Sequence, residues 1–350
     1  MKNFISTAIL FLTLIFSNAL FARVYYVNGS YTGSTANGNS WTTPFKKLEL
    51  AIAAATDGDE IWVAKGTYVA PISPKSSGYY INNGITIYGG FAGTETSIYA
   101  RNLELNKTIM KASATTEENY QVIFRLKPNK PFGIDGLNFT NFGSAIYAQR
   151  DTIIPANGTN LQVGDRYKIT IKNAHFYSGS LPVSLGYYTD LLIKDTKFDN
   201  VNPIIISEED LHNADPLFDF SMVTFENIIF TAPPNSYPPP TTQFNRVFFN
   251  AINCTYNNYV QSTIQISESR DITLSGCIFN NTKQIISCTG TKLNIQINDC
   301  IIDGFGNDNN IINFSDNNSS LRITNTTFKN GVKSYQIASD LKNVELDNVT

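Results

Sequence analysis

The chain has 350 residues, of which 42% are hydrophobic and only 16% charged, with a net charge of -3. That is too apolar for intrinsic disorder and long enough to bury a sizeable core. The absence of a basic excess or a block of like charges argues against nucleic acid or another polyelectrolyte as partner. Asparagine is the anomaly, at 40 residues.

In chain order, the first segment is an address. Lys2 is followed by an apolar run at 4–16 (FISTAILFLTLIF) and small residues at Ser17, Ala19 and Ala22. This is the pattern of a secretory signal peptide, placed at 1–22. The run is shorter than the roughly 20 residues of a transmembrane helix, and no later stretch is apolar enough. The mature chain is expected to carry no membrane span and to be secreted or held at the cell surface, associated with the outer membrane.

Residues 23–57 read as an N-terminal cap. Val24–Val27 is strand-like, and 28–40 is a Gly/Ser/Asn/Thr loop. A helix is predicted next, with Thr43 as N-cap and Pro44 at the first helical position. Phe45, Leu48, Ala51, Ile52 and Ala55 follow at helical spacing, and Asp57-Gly58 closes it. Strands are predicted at 60–63 and 85–88. Such a helix suits the open end of a solenoid, whose first coil exposes apolar interior and unpaired backbone.

The runs NGNSW (37–41), GDEIWVAKGTY (58–68) and IYGGFAGTET (87–96) resemble the N-terminal cap and first coils of secreted bacterial right-handed parallel β-helix proteins. That group belongs to the pectin lyase-like superfamily, and several of its members resemble polymorphic surface proteins or adhesins. The resemblance covers about residues 24–96. It implies the fold and leaves function open, because the superfamily holds lyases, hydrolases, adhesins and structural spikes.

The repeat follows from the residues alone. One hexad recurs: apolar, any, Asn/Asp/Gly, any, any, apolar. Its copies lie at 134–139, 171–176, 193–198, 225–230, 249–254, 274–279, 297–302 and 323–328. They end at Phe139, Phe176, Phe198, Phe230, Cys254, Phe279, Ile302 and Phe328, at intervals of 37, 22, 32, 24, 25, 23 and 26 residues. A period of this size signals a solenoid. The third position holds Gly136, Asn173, Asp195, Asn227, Gly276, Asp299, Asn325 and, in a last partial copy, Asn348, with Ala251 the exception. These residue types tolerate a left-handed backbone, so each turns the chain sharply between two strands. Stacked asparagines can also bond each other along the axis. A second bend, F-x-N, recurs at Phe139/Asn141, Phe198/Asn200, Phe279/Asn281 and Phe328/Asn330. Alternating strands follow at Val183/Leu185, Ile264/Ile266, Ile286/Cys288 and Ile312/Phe314.

The expected fold is therefore all-β: a right-handed, single-stranded parallel β-helix spanning 58–350, with three short strands per coil. About 13 coils would make a rod roughly 60 Å long. Residues 346–350 (LDNVT) open another hexad, which suggests a solenoid truncated at its C-terminus, a fragment of a longer protein.

Chemistry-bearing residues are sparse. Cys277 and Cys300 share a repeat position, within reach of a disulfide. With Cys254 and Cys288 they read as inward-facing, and buried free thiols are expected. His175 and His212 are expected to be structural or solvated. The insertion at 207–219 carries Glu208, Glu209, Asp210, Asp215 and Asp219, a solvated acidic loop in which a calcium site is a possibility. The loop at 233–240 is Pro-rich and stiff. The outward residues of the alternating strand are Ser184, Gln265, Ser287, Asn313 and Gln336, all uncharged. Glycoside hydrolysis needs two placed carboxyl groups, and Glu208 and Glu209 are the only carboxylates read beside that strand.

The expected function is thus a non-catalytic secreted or surface solenoid, adhesin-like or a glycan-contacting stalk. Its partner would be a polysaccharide or a host or extracellular surface, with no cofactor and as a monomer. The alternatives are a polysaccharide lyase or glycoside hydrolase acting on the helix face through Glu208 and Glu209, and a passive spacer.

Overall fold

A computed structural model describes residues 22–350 apart from 74–75, 114–121, 128–129, 149–166, 187–188, 202–203, 207–219, 233–241, 260–261, 290–291, 305–310, 315–317, 332–336, 339–340 and 342. The chain winds through three sheets in turn. The first has 12 strands, from Val24–Val27 through Tyr167–Lys172 to Asn343–Asp347. The second has 10 shorter strands, from Gly66–Val69 to Thr327–Lys329. The third has 10, from Tyr79–Ile81 to Ile337–Ala338. In all three sheets each strand pairs in parallel with its counterpart one coil away. The fold is a right-handed parallel β-helix. Twelve strands at about 4.8 Å span roughly 53 Å. This is shorter than expected, because the cap and the loops take residues that the period count assigned to coils.

The hexads sit at the corner between the first and second sheets. Apart from Ala251, their third residues have positive φ, from 48° at Asn325 to 79° at Gly136, and Asn173, Asp195, Asn227, Asp299 and Asn348 fall between. They line up because the strands on either side are in register. Asn173 Nδ2 donates to Asp135 Oδ1 at 2.8 Å, Asn227 to Asp195 at 2.8 Å, and Asn348 to Asn325 at 2.9 Å. The second bend recurs as read, with positive φ at Asn141, Asn200, Asn281 and Asn330.

One copy of the hexad is corrected. Ala251 pairs with Leu274 and Tyr256 with Phe279. The true copy is therefore 251–256 rather than 249–254. Asn253, with φ of 53°, is the turn residue, and Ala251 is an ordinary inward strand residue. Alanine is poorly suited to a left-handed backbone, so the turn falls on the asparagine two residues on.

The core is built of columns. Phe139, Phe176, Phe198, Phe230, Tyr256 and Phe279 stack with ring centroids 4.6 to 5.0 Å apart and planes within 13°. Offset stacking at this spacing adds to area burial, and the coil repeat sets it. Val183, Leu185, Ile264, Ile266, Ile286, Cys288 and Ile312 are buried from the third sheet, as their alternation predicts.

The capping helix exists but starts late. We label it α1, Leu48–Ala54, with Lys47 at the N-cap and no side-chain cap. Thr43 and Pro44 do not open it. Phe45 instead pairs with Val27, exchanging backbone hydrogen bonds with Tyr26 and Asn28. Covering the free edge of the first strand outweighs extending the helix. Leu48 and Ala51 are buried against the first coil, and Tyr25 donates to the Ala54 carbonyl.

The three motifs that carry the resemblance form one joint on the outer face of the first sheet. Trp62 stacks on Phe91 at 4.8 Å, and Trp41 packs against Tyr26 and Phe91. The Trp41 indole donates to the Glu95 carbonyl, while the Glu95 carboxylate accepts the N–H groups of Ala92, Gly93 and Thr94. The predicted signal peptide lies outside the described residues, apart from Ala22.

Candidate functional site

On two of the three faces, charges are spent pairing coils. Lys194 meets Glu226 at 2.8 Å and Arg101 meets Asp135 at 3.3 Å along the first sheet. His175 meets Asp199 at 2.8 Å and Lys329 meets Asp303 at 3.2 Å along the second. His175 is thus a structural, half-exposed residue, as expected. His212 lies outside the described residues.

The third face differs. Its strands alternate, so one outward residue per coil falls into a single file. The file runs Tyr80, Arg125, Tyr147, Ser184, Gln243, Gln265, Ser287 and Asn313, the Ile205 backbone pairing between Ser184 and Gln243. Ser184, Gln265, Ser287 and Asn313 therefore do come together. The strand partner of Asn313 is Ala338, and Gln336 lies outside the described residues. The expectation of an uncharged file also fails at one end. Arg125 belongs to it, with its guanidinium 5.0 Å from the centre of the Tyr147 ring. Tyr80, next in the file, is half exposed.

Arg125 and Tyr80 were missed because coils before residue 134 carry no hexad by which to align them; Tyr147, which follows a hexad, was legible as the outward residue between Ile146 and Ala148. The available signal was the alternation Val122-Ile123-Phe124-Arg125-Leu126, a single polar residue in an apolar strand. Gln243 was legible in the same way, as the outward residue between Thr242 and Phe244.

Chemically, the described polar side chains of the file are hydroxyls and amides, following two tyrosines whose strands flank that of Arg125. Amides and hydroxyls both donate and accept, the ring faces are apolar, and the guanidinium offers a fork of donors. Among the described residues the file contains no carboxylate. Glu208 and Glu209 lie outside the described residues, two and three positions beyond Ile206 of the third sheet, and so does the possible calcium loop. Among the described residues no group of three or more His, Cys, Asp or Glu is placed to hold a metal ion. No helix among them is long and apolar enough to cross a membrane.

No known protein family matches the chain, and no curated protein does. Among solved structures it is similar to the catalytic domain of GH87 alpha-1,3-glucanase in complex with nigerose, at 7% identity and a TM-score of 0.46, covering 95% of this chain and 70% of that one. A rhamnogalacturonan lyase matches at 13% identity and 0.45, covering 88% and 68%. A PL6 alginate lyase complexed with a trisaccharide matches at 14% and 0.44, covering 91% of this chain. The chain spans 62% of that lyase's length. The fold assignment rests on the strand pairing within the chain itself.

Proposed function

We propose that the chain is an exported, non-catalytic β-helix that contacts glycan along the outward file of its third sheet, as an adhesin or stalk. The observation that carries this reading is the file itself. It lines up successive coils about 4.8 Å apart, with rings and a guanidinium at one end and neutral polar groups at Ser184, Gln243, Gln265, Ser287 and Asn313. A polymer of hydroxylated rings is the kind of ligand such a strip can meet at many weak points. Screening the purified protein against immobilised neutral and acidic glycans and extracellular surfaces tests it. Retention on at least one glycan is expected, with no new reducing ends or unsaturated products on incubation. Failure to bind any of them, together with depolymerisation, overturns it.

The enzyme reading has one observation in its favour: Glu208 and Glu209 follow directly on a strand of this same sheet. It requires product release from a polysaccharide that Glu208→Ala or Glu209→Ala abolishes.

A further inference from the structure

The corner after the hexad turn holds a second column. Cys254, Cys277 and Cys300 occupy it in three consecutive coils, each immediately after a left-handed residue, Asn253, Gly276 or Asp299. The strands that follow are in direct register, Thr255 with Ile278 and Ile278 with Ile301. The Cys254 carbonyl accepts from Ile278 at 2.8 Å, and that of Cys277 accepts from Ile301 at 2.9 Å. All three are free thiols and fully buried. The column continues with Ile228 and then Thr196 on one side and with Thr326 on the other, and both threonine hydroxyls donate to the carbonyl two residues back. The thiols reach the same carbonyls, at 3.5 Å for Cys254, 3.6 Å for Cys277 and 3.2 Å for Cys300. Two of them also reach a carbonyl of the preceding coil, Cys277 that of Ala251 at 3.4 Å and Cys300 that of Leu274 at 3.6 Å. Paired strands set their Cα atoms about 4.8 Å apart, within the roughly 4.4–6.8 Å a disulfide spans. The fourth cysteine, Cys288, lies in the third sheet and takes no part.

We propose that Cys277 is a covalent modification site, forming one disulfide with Cys254 or with Cys300, so that adjacent coils are clamped in either of two registers. The reaction needs an oxidant that itself carries a disulfide, such as oxidised glutathione. Cys277 thiolate attacks one sulfur of the oxidant, and the other sulfur leaves as a thiolate. Cys254 or Cys300, deprotonated, then attacks the Cys277 sulfur of the mixed disulfide, and the second half of the oxidant leaves. Two protein thiols lose two protons and two electrons, and the oxidant becomes two thiols. Cys277 has a cysteine in the coil on each side, so either neighbour can resolve its mixed disulfide. Because the column is sealed in the finished solenoid, the bond forms while the coils stack. The third thiol can later attack the bond and exchange its register. The proposal is independent of the glycan reading.

The test is refolding of the full chain in a buffer of reduced and oxidised glutathione. Remaining thiols are then alkylated in denaturant and the peptides mapped by mass spectrometry. Two alkylated cysteines are expected, Cys288 and one of Cys254 and Cys300, with an intact mass about 2 Da below the fully reduced chain before alkylation. Four alkylated cysteines, or a bond through Cys288, overturn the proposal. Cys277→Ser should form no disulfide, because Cys254 and Cys300 stand two coils apart, roughly 9.6 Å, beyond the span of the bond. A bond between them there would also overturn it. Cys254→Ser, which keeps the central thiol, should give only Cys277–Cys300. Its absence would refute the two registers.

Discussion

At the level of single residues, the fold depends on side chains that make an awkward backbone affordable. Asn227 holds φ at 54° and donates to Asp195 of the neighbouring coil. Alanine there keeps the strain of a left-handed backbone and loses the bond. Asn227→Ala should destabilise by about 1–2 kcal/mol in urea unfolding, and Asn227→Gly, which relieves the backbone, by clearly less. Equal losses would mean that the hydrogen bond, not the backbone, sets the residue. Gly276 shows the same corner from the other side. Its φ is 64°, and a Cβ would lie 2.4 Å from Asn253 Oδ1, so the asparagine above occupies the space a side chain would need. Tyr256 is the one tyrosine in a column of phenylalanines. Its ring stacks 5.0 Å from Phe230 and 4.9 Å from Phe279, and its buried hydroxyl has no hydrogen-bond partner among the described residues. Tyr256→Phe should therefore leave the stack intact and raise stability by about 1 kcal/mol. A destabilised variant would show that the hydroxyl is satisfied after all.

At the level of elements, one carboxylate ties the end of the cap to the first coil. Asp59 is buried and accepts the backbone N–H groups of Thr56 and Arg23 and the Thr56 hydroxyl. Burial alone would raise its pKa; these hydrogen bonds outweigh it and hold the carboxyl below its ordinary value of 3.8. A depressed pKa in the folded state contributes stability that is complete above the unfolded value. It is lost as pH falls through the folded one. Stability should therefore decline with acidification from about pH 5 downward, and Asp59→Asn should flatten that limb while lowering stability at neutral pH. An unchanged slope in acid denaturation would remove Asp59 from this role. The same joint explains why the helix prediction began too early. Thr43-Pro44 is a good local start signal, but the segment after it is needed as a partner for the first strand.

At the level of the whole molecule, repetition turns single positions into lines. The file from Tyr80 to Asn313 exists only because successive coils stand in register. Binding along such a line should be uneven. Tyr147→Ala, which removes both a ring face and the platform under Arg125, should weaken glycan affinity roughly tenfold, about 1.4 kcal/mol. Gln265→Ala, in the neutral stretch, should change it much less. Affinity measured on the best glycan from the screen decides this, and equal effects would place the contact elsewhere.

The hexad was legible in the residues because a left-handed turn admits few residue types, and each coil had to pay that requirement again. Inward alternation was legible for the same reason, since a buried strand face tolerates little else. From these come the fold class, both ladders of bends and the four inward cysteines. What the residues could not settle was alignment between distant coils. Cys254 and Tyr256 are both apolar enough to end a hexad, and only the pairing of Ala251 with Leu274 chooses between them. Arg125, Tyr147 and Ser184 become neighbours for the same reason, although 22 and 37 residues separate them along the chain. Hydrogen bonds between coils set that register, and they join residues whose separation in sequence varies with every loop.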